Sequence, residues 1–423
     1  MRRAYQKSAP KSDLDSATQV QLTLDRREVL RQLQDGLHAF GIMLGLELAR
    51  LFMTEEVDRL CGPRYAHRTG REATRHGSQK GVITIGGQKL PICRPRARST
   101  QGRGEVPLSV YGFAQREEAM PEAVLRRLVR GVSCRDYEGV IEKASEGFGV
   151  KRSSVSRSFQ RSSSRKIAEL AERRFDRSRY AVIFIDGVGY ADTTMIVALG
   201  IAEDGSKRVL GFREGPTENA LVCKALLEEL LERGIDPNLP TLFVIDGSKA
   251  LRKAIAELWG ERALVQRCRV HKKRNIEAHV PERYWPDVER MLERAWRERE
   301  PGRALKQLQA LAGYLDRISP DAAGSLREGM EETLTVTRLR IPAPLATHLQ
   351  TTNPIESAFS MTRKLTARVK RWRGGSMKHR WCATGLLEAE KRFRRIKAFE
   401  YMPQLLKALD GSVQQLNAAK KTA

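Results

Sequence analysis

Cysteines, aromatic residues and long apolar runs are all scarce in this chain of 423 residues. Its six cysteines are too few and too scattered for a disulfide framework, which indicates a reducing compartment. No stretch approaches the roughly 18 apolar residues of a membrane-spanning helix. The basic N-terminus also lacks the apolar segment of a secretory signal. We therefore expect a cytoplasmic protein with no membrane partner.

Acidic residues are also outnumbered, with 51 Asp and Glu against 76 Lys and Arg, which leaves a net charge of +25. Such an excess favours a polyanionic partner, most often nucleic acid, because each neutralised phosphate releases counterions. An anionic membrane surface is the alternative. It would need a basic amphipathic helix with bulky apolar anchors, and the sequence contains no clear one. The length allows two or three domains.

The N-terminal region, residues 1–110, is predicted to be helical and to contain one β-hairpin. Apolar residues recur near helical spacing from Leu24 to Met53, and two short alternating runs flank Gly86-Gly87. Four potential zinc ligands surround the hairpin, namely Cys61, His67, His76 and Cys93. Their spacings include no close pair, so scattered surface or core residues are favoured over a zinc site.

Residues 111–178 have the pattern of a DNA-binding helix-turn-helix region. Two helical patterns are followed by a turn at Gly147–Gly149 and by a helix rich in Ser and Arg. The side chains expected to face DNA lie in that last helix and are Ser153, Ser154, Ser156, Arg157 and Gln160. An ordinary helical hairpin with a basic, solvated surface is the alternative.

The central region begins with two apolar runs that each end in Asp-Gly, AVIFIDG at 181–187 and LFVIDG at 242–247. Their β-branched composition and short length predict buried strands. The pattern continues as three antiparallel strands, then helix, strand, helix and strand, which is the element order of a ribonuclease-H-like fold. We therefore expect an α/β protein with a ribonuclease-H-like catalytic core, an α-helical insertion and a mostly helical N-terminal DNA-binding region.

The predicted boundaries are 179–280 for the first part of the core, 281–345 for the insertion, 346–400 for the final part and 401–423 for a C-terminal tail. The last part of the core is predicted to begin with a helix at TTNPIESAFS and to continue through a basic run of eight Lys and Arg. A final helix is expected over roughly 382–399, and a short helix with a tail after it.

Asp186 and Asp246 each lie at or near the end of a predicted strand, so they can lie side by side in one sheet. Neighbouring carboxylates repel unless a cation, usually a divalent metal, lies between them. Asp-Gly is also a common turn sequence, so either aspartate alone is more simply a turn residue. Glu356 is the third candidate acid. Asn353 as N-cap, Pro354 at N1 and Glu356 at N3 also match a capping box, which local sequence favours.

Four motifs, FIDGVGY, VIDGSKAL, CRVHKKRNI and TTNPIESAFS, occur in this order and at separations that resemble the Mutator-type DDE transposases of bacterial insertion sequences. The similarity extends from about Leu24 to Phe399. It implies a ribonuclease-H-like core with a helical insertion before the last acid and an N-terminal DNA-binding region. It also implies that Asp186, Asp246 and Glu356 are the catalytic, metal-binding triad, with Mg²⁺ as cofactor and Mn²⁺ as an alternative.

The resemblance also suggests DNA contacts near the triad. The Cys268-x-x-His271 element makes His271 a plausible phosphate contact, and three basic residues that suit a DNA backbone follow it, Lys272, Lys273 and Arg274. Cys268 is otherwise a small buried residue or half of a zinc site. The basic run after Glu356 adds Arg363, Lys370, Arg371 and Arg373 as expected DNA contacts.

These expectations describe a transposase that binds the terminal inverted repeats of an insertion sequence and a target DNA, as a homo-oligomer such as a dimer. It would act in the bacterial cytoplasm, associated with the nucleoid. Two alternatives share the basic charge. One is a DNA-binding regulator with an inactive ribonuclease-H-like core, which would have no reason to keep three acids. The other is a structure-specific nuclease that cuts without joining.

Overall fold

The structure is a computed structural model that describes residues 27, 29–30, 37–65, 70–85, 88–102, 104–115, 126–128, 130, 152–190, 193–217, 219–367, 369, 371–372 and 374–421. The chain divides into two compact units, 1–162 and 163–423. No helix in this described part is long and apolar enough to cross a lipid bilayer.

The first unit combines one long helix with a three-stranded antiparallel sheet. Its elements are α1 (Leu37–Cys61), β1 (Ala73–Ile85), β2 (Gln88–Ser99), β3 (Glu105–Val106) and α2 (Ser109–Ala114). Met53 and Val57 of α1 pack with Ile83 and Ile92 of the hairpin in a small apolar core. The predicted hairpin is therefore present, although its Gly86-Gly87 tip lies outside the described residues.

The hairpin strands are longer than the sequence predicts, because β1 begins at Ala73, inside the basic stretch that lacks an apolar pattern. Side chains over much of this stretch are exposed, so backbone pairing with β2 rather than alternating burial holds the strand. A register shift between Arg75 and Ser78 interrupts the pairing further. No alternation of apolar and polar residues is available to reveal such a strand.

Helix α3 (Arg152–Ala171) crosses the boundary between the two units. It contains the predicted DNA-facing residues, and of these Arg157 and Gln160 are exposed while Ser156 is half-buried. The side chains of Ser153 and Ser154 lie outside the described set. So do most of the preceding residues on which the helix-turn-helix interpretation depends.

The second unit is built on a mixed five-stranded sheet. Its strands are β4 (Tyr180–Tyr190), β5 (Thr193–Ala202), β6 (Lys207–Glu214), β7 (Thr241–Ile245) and β8 (Ala263–Arg267). The spatial order is β6-β5-β4-β7-β8. The first three strands form the predicted antiparallel meander, and β7 and β8 join parallel to β4. The strand predictions for this region are confirmed.

Helices cover both faces of this sheet. One face packs on α4 (Ala220–Glu232) and α5 (Lys249–Trp259), where Phe243 and Trp259 meet edge to face with ring centroids 4.9 Å apart. The other face packs on α12 (Asn353–Thr366), α13 (Gly374–Glu390) and α14 (Met402–Lys421). Residues of alternating number along β4 serve the two faces, as the period of a strand requires.

A helical segment with a core of its own lies between β8 and α12. It contains α6 (Arg269–Glu277), α7 (Trp285–Arg297), α8 (Pro301–Asp316), α9 (Pro320–Arg327), α10 (Thr335–Arg338) and α11 (Ala343–Leu349). Its apolar residues pack chiefly on one another, among them Ile276, Leu292, Leu308 and Leu326. Short 3-10 turns at Glu282–Tyr284 and Glu331–Leu334 join its helices.

Three helix predictions near the C-terminus are wrong in their bounds. Helix α12 ends at Thr366 and does not continue through the basic run, where the described residues 369 and 371–372 are not helical. Helix α13 begins at Gly374, earlier than the predicted start near residue 382. The break between α12 and α13 therefore lies inside the basic run and not after it. The expected short terminal helix is the 20-residue α14.

Candidate active site

The register of the central strands brings Asp186 and Asp246 to equivalent positions. Ile185 of β4 pairs with Ile245 of β7 in parallel, so the two aspartates follow the same rung on adjacent strands. Both continue the series of side chains that point to the α12 face of the sheet. Asp246 directly follows β7, whereas β4 continues past Asp186 to Tyr190, so the turn interpretation is wrong for Asp186, which lies within its strand.

Helix α12 packs on this face and brings Glu356 to Asp186. Ligand atoms of Asp186, His271 and Glu356 all lie within 4.8 Å of one another. His271 Nε2 is 3.7 Å from Glu356 Oε1. Asp246 is outside this tight group. It nonetheless raises the pKa of Asp186 through charge repulsion, so it lies within electrostatic range.

The capping-box interpretation of Glu356 is wrong. The N-cap of α12 is Thr352, one residue earlier than predicted, so Asn353 is N1, Pro354 is N2 and Glu356 is N4. The Thr352 amide donates to Cys268 Sγ at 3.3 Å, and the Thr352 hydroxyl is 3.2 Å from Glu356 Oε1. Glu356 is therefore not positioned at N3 to close a reciprocal cap on the N-cap amide.

Thr352 links the elements of the site and was not among the predicted residues. It is fully buried, and its hydroxyl lies 3.4 Å from Cys268 Sγ and 3.5 Å from His271 Nδ1 as well as near Glu356. Its position one helical turn before Glu356 is the sequence feature that could have indicated it. Cys268, also fully buried, holds this corner from the end of β8.

Burial dominates the electrostatics of Asp186. The residue is 7% exposed, and burial raises the pKa of its carboxyl to about 6, with smaller upward contributions from Asp246 and Glu356. The nearby His271 and the Gly187 amide, which donates to Asp186 Oδ1 at 2.8 Å, act in the opposite direction. A buried carboxylate among acids is the environment that a cation relieves.

The pKa of His271 is raised as well. Its hydrogen bond with Cys268 raises the pKa of the imidazole to about 9 against the effect of burial, and Asp186 and Glu356 add to the rise. The pKa of the Cys268 thiol is lowered because hydrogen bonds from His271 and Thr352 outweigh its burial. Without a metal, the neighbours of His271 therefore favour its protonated, positive form.

Asp246 is held by the loop that follows β7. Its Oδ1 accepts from the Ser248 amide at 3.1 Å, and Thr217 Oγ1 lies 3.4 Å from its Oδ2. The Ser248 hydroxyl in turn donates to the Thr217 carbonyl at 2.5 Å and caps α5. These bonds fix the carboxylate at the strand end, next to the rung that carries Asp186.

A buried arginine ties this loop to the helical segment. Arg267, 4% exposed, donates to the Gly247 carbonyl at 3.1 Å and to the Glu328 carbonyl at 3.2 Å. Gly247 and Gly329 flank its guanidinium with φ of +133° and +64°, and a Cβ on Gly329 would lie 2.5 Å from Arg267 Nε. Glu332 completes the pairing at 3.4 Å. Sequence reasoning missed Arg267, because nothing in the pattern distinguishes it from a surface arginine.

The three basic residues after His271 have different environments. Lys272 is 1% exposed and its ammonium donates to the carbonyls of Ser325 and Glu328 at 2.6 and 2.7 Å, so the prediction that it contacts DNA is wrong. Lys273 pairs with Glu289 and Glu293 of α7. Arg274 is exposed. The environments differ because successive residues of α6 point in different directions around the helix, some toward the rest of the helical segment and others toward solvent.

The remaining predicted DNA contacts lie on and after α12. Arg363 and Arg371 are exposed, whereas Lys370 and Arg373 lie outside the described residues. Within the described part of the chain, no second group of three His, Cys, Asp or Glu ligands lies as close as Asp186, His271 and Glu356. Cys61 is buried while His76 and Cys93 are exposed, and His67 is not described, so the zinc interpretation gains no support.

Comparison with known proteins gives one family across most of the chain. Residues 18–388 match the model of the family described as "Transposase, Mutator family". The transposase for insertion sequence element ISRM5 of Rhizobium meliloti is 28% identical over 349 residues, which cover 80% of this chain and 84% of that protein. The transposase for IS905 of Lactococcus lactis is 26% identical over 249 residues, which cover 57% of this chain and 60% of that protein. The transposase for IST2 of Acidithiobacillus ferrooxidans is 29% identical over 220 residues, or 51% and 73%.

Proposed function

The chain belongs to the Mutator family of transposases, and we propose that it is an insertion-sequence transposase that cuts and joins DNA with a divalent metal held by Asp186, Asp246 and Glu356. The family membership agrees with the resemblance carried by the four sequence motifs. The metal chemistry is our own inference. The single observation that carries it is the convergence of Asp186 and Glu356, 170 residues apart in the chain, within 4.8 Å.

The sheet supports a ribonuclease-H-like assignment for the core. Three antiparallel strands form one side, and two strands parallel to β4 extend the other side. The aspartates lie at the junction of the antiparallel and parallel halves, on β4 and directly after β7. The third acid comes from a helix that follows a separate helical segment, which is the arrangement that the motifs implied.

The donor set fits a hard divalent cation. Asp186 and Glu356 offer carboxylate oxygens, the ligands that Mg²⁺ and Mn²⁺ prefer, and Asp246 stands at the neighbouring strand end. Burial alone disfavours the charge on Asp186, and a cation at this position would restore it. Cys268 and the acids raise the pKa of His271 where no metal is bound, and we propose that His271 contacts a DNA phosphate while the carboxylates hold the metal.

The proposed reaction has two steps at phosphorus. Water attacks the phosphodiester at the element end, the P–O bond to the 3′ oxygen breaks, and a free 3′-OH results. That 3′-OH then attacks a phosphodiester of the target strand, which joins the two DNAs and releases a new 3′-OH there. Two bound metal ions roughly 3.5–4 Å apart would activate the attacking oxygen and stabilise the leaving one.

Neighbouring residues hold the side chains of the proposed site in place. Thr352 and Cys268 fix His271 beside Glu356, and Arg267 and Ser248 fix the loop that carries Asp246. The net charge of +25 attracts the DNA backbone. We further propose that the protein acts on paired element ends as a homo-oligomer, because joining two ends to one target needs both ends at the same place.

The test is an assay with purified protein, DNA carrying the sequences that flank the open reading frame, and Mg²⁺ or Mn²⁺. We expect nicking at the element boundary and covalent joining to a second DNA, both abolished by a chelator. Binding without cutting would indicate a DNA-binding regulator. Cutting without joining would indicate a structure-specific nuclease. Either outcome would overturn the proposal.

A further inference from the structure

A cleft of about 1010 Å³ is lined chiefly by residues of the helical segment, with Gln404 of α14 in addition. Its volume is at the upper end of the roughly 300–1,000 Å³ range of small-ligand pockets. Charged residues line it, namely Arg269, Arg297, Arg299, Arg340, Glu293 and Glu298. Four cations against two carboxylates leave this lining with an excess of positive charge.

Arg269 is a buried member of this lining and has no carboxylate partner. It is 7% exposed and donates to the carbonyls of Thr333 and Trp296 at 3.0 Å and to Thr337 Oγ1 at 2.9 Å, and its guanidinium lies 5.6 Å from the centroid of the Trp296 ring. In the described part of the chain no carboxylate lies within ion-pair distance of it. These partners satisfy hydrogen bonds but carry no negative charge, so the positive charge of this buried group is not neutralised within the described residues.

Basic residues also form the rim of the cleft. Arg340 has a left-handed backbone with φ of +49°, a conformation common directly after a helix, and it follows the C-terminus of α10. Arg299 and Arg340 are exposed at the rim, and the wall between them is apolar, with Ile341 and Pro344 among its residues.

The cleft is connected to the acids through two short segments. The Arg269 amide donates to the Gln350 carbonyl at 3.0 Å, and both residues line the cleft. Two residues further along these segments are His271 and Thr352, which contact each other beside Glu356. The lining of the cleft therefore comes within two residues, along both segments, of the group around Glu356.

We propose that this cleft binds the phosphodiester backbone of one DNA strand next to the catalytic acids, an inference that rests on the proposed function and deepens it. The buried guanidinium binds a phosphate, the rim arginines bind the neighbouring phosphates, and the apolar wall contacts sugars or bases. Bases reach the apolar wall only where they are unpaired, so we assign the cleft to a single, unpaired strand. The contacts are to the backbone and carry no sequence preference.

The test uses rim residues, because changing Arg269 would remove three structural hydrogen bonds. The variant is Arg299→Gln with Arg340→Asn, since asparagine tolerates a left-handed backbone. The matched control is Arg290→Gln with Arg294→Gln, which removes two exposed charges from α7 outside the cleft. Each protein binds a labelled oligothymidine of about 15 nucleotides in EDTA over a range of salt.

We expect the rim variant to lose affinity about fivefold to tenfold and to lower the slope of log affinity against log salt by about 1 to 1.5, while the control matches wild type. An unchanged slope in the rim variant overturns the inference. Inorganic phosphate at constant ionic strength is the second arm. Suppose that phosphate raises the melting temperature of wild type but not that of the rim variant, while the rim and control variants bind DNA equally. The cleft then binds a free anion and not DNA, and the inference is again overturned.

The outcome is separable from that of the proposed function. Binding in EDTA needs no catalysis, so a rim variant that loses oligothymidine affinity supports the cleft even if wild type never cuts DNA. Conversely, wild-type protein that cuts and joins end DNA while the rim variant binds normally keeps the proposed function and removes the cleft from it.

Discussion

His271 Nε2 lies 3.7 Å from Glu356 Oε1, which joins a residue at the start of α6 to one on α12 across the edge of the sheet. This pair forms one part of the candidate site, and β4 contributes Asp186 to it. Each partner comes from a different segment, so the site exists only when the strand, the short helix and the long helix are assembled. Substitutions that leave this assembly intact are the informative ones.

Asp186→Asn and Asp246→Asn should each abolish cleavage of end DNA and leave DNA affinity largely intact, because the acids are proposed to hold metal rather than DNA. The matched control is Asp204→Asn at another Asp-Gly site, whose carboxylate accepts from the Ser206 amide in the β5–β6 turn and lies 3.8 Å from Arg395. A nicking assay and a binding assay are run on all three. Near wild-type nicking by either active-site variant contradicts the metal assignment.

Glu356→Gln should lose cleavage and strand transfer by orders of magnitude, since a neutral amide is a poor Mg²⁺ ligand. Glutamine keeps the length of the side chain and can still accept from Thr352 Oγ1. The expected loss of stability is therefore small, about 1 kcal/mol or less, on the scale of a charge near a helix N-terminus. A thermal melt and the cleavage assay measure both effects. Normal cleavage would move the third acid elsewhere.

Stability without metal should depend on pH through Asp186. The native pKa is raised from the ordinary 3.8 to about 6, so the contribution of this group is fully present below 3.8 and is lost as pH rises through 6. In EDTA, Asp186→Asn should thus be more stable than wild type at about pH 7.5, by on the order of 3 kcal/mol. At about pH 4 the two should melt alike. A difference in melting temperature that does not change with pH contradicts this.

Lys272→Met and Arg274→Met should show which of these two α6 residues supports the fold and which contacts DNA. The first removes a donor from the carbonyls of Ser325 and Glu328, of which Glu328 keeps its bond from Arg267, and we expect it to destabilise the fold by about 1–3 kcal/mol. Its salt dependence of DNA binding should match wild type. The second should melt like wild type and lower the slope by about 1 if Arg274 contacts a phosphate. The reverse pattern would restore Lys272 as a DNA contact.

Arg363→Ala with Arg371→Ala should weaken binding to end DNA and to random DNA alike, since phosphate contacts carry no sequence information. Both side chains are exposed. The measurement is the slope of log affinity against log salt on both DNAs, with Arg290→Ala on α7 as control. An unchanged slope would make this basic run a solvated surface.

The sequence predicts the sheet well because its strands are buried on both faces and read as short apolar runs. AVIFIDG and LFVIDG indicate both the strands and the position of their aspartates. The same reasoning fails for β1, whose exposed basic side chains give no alternation. It also fails at Asn353-Pro354, where a proline compatible with N1 stands at N2 and shifts the predicted cap by one residue.

Buried charges are the part of the site that a linear pattern cannot show. Lys272 and Arg267 stand among other basic residues in the sequence, and only the fold directs them inward toward carbonyls of the helical segment. The sequence around Thr352 does not indicate its contacts with Cys268 and His271, which only the fold brings beside it. These positions depend on contacts between segments about 50 to 80 residues apart, for which local spacing carries no information.

Arg267, which lies between Gly247 and Gly329, limits how much of the helical segment can be removed or exchanged. The helical segment supplies the Glu328 carbonyl, which accepts from this arginine, and the Glu332 carboxylate, which neutralises its charge, and the same Glu328 carbonyl accepts from Lys272. If a linker replaced residues 281–345, Lys272 would lose both carbonyl acceptors of its ammonium, and Arg267 would keep the Gly247 carbonyl but lose Glu328 and Glu332. The segment is therefore not interchangeable with a foreign one, and a minimal catalytic core of this transposase must retain at least the stretch from Ser325 to Glu332.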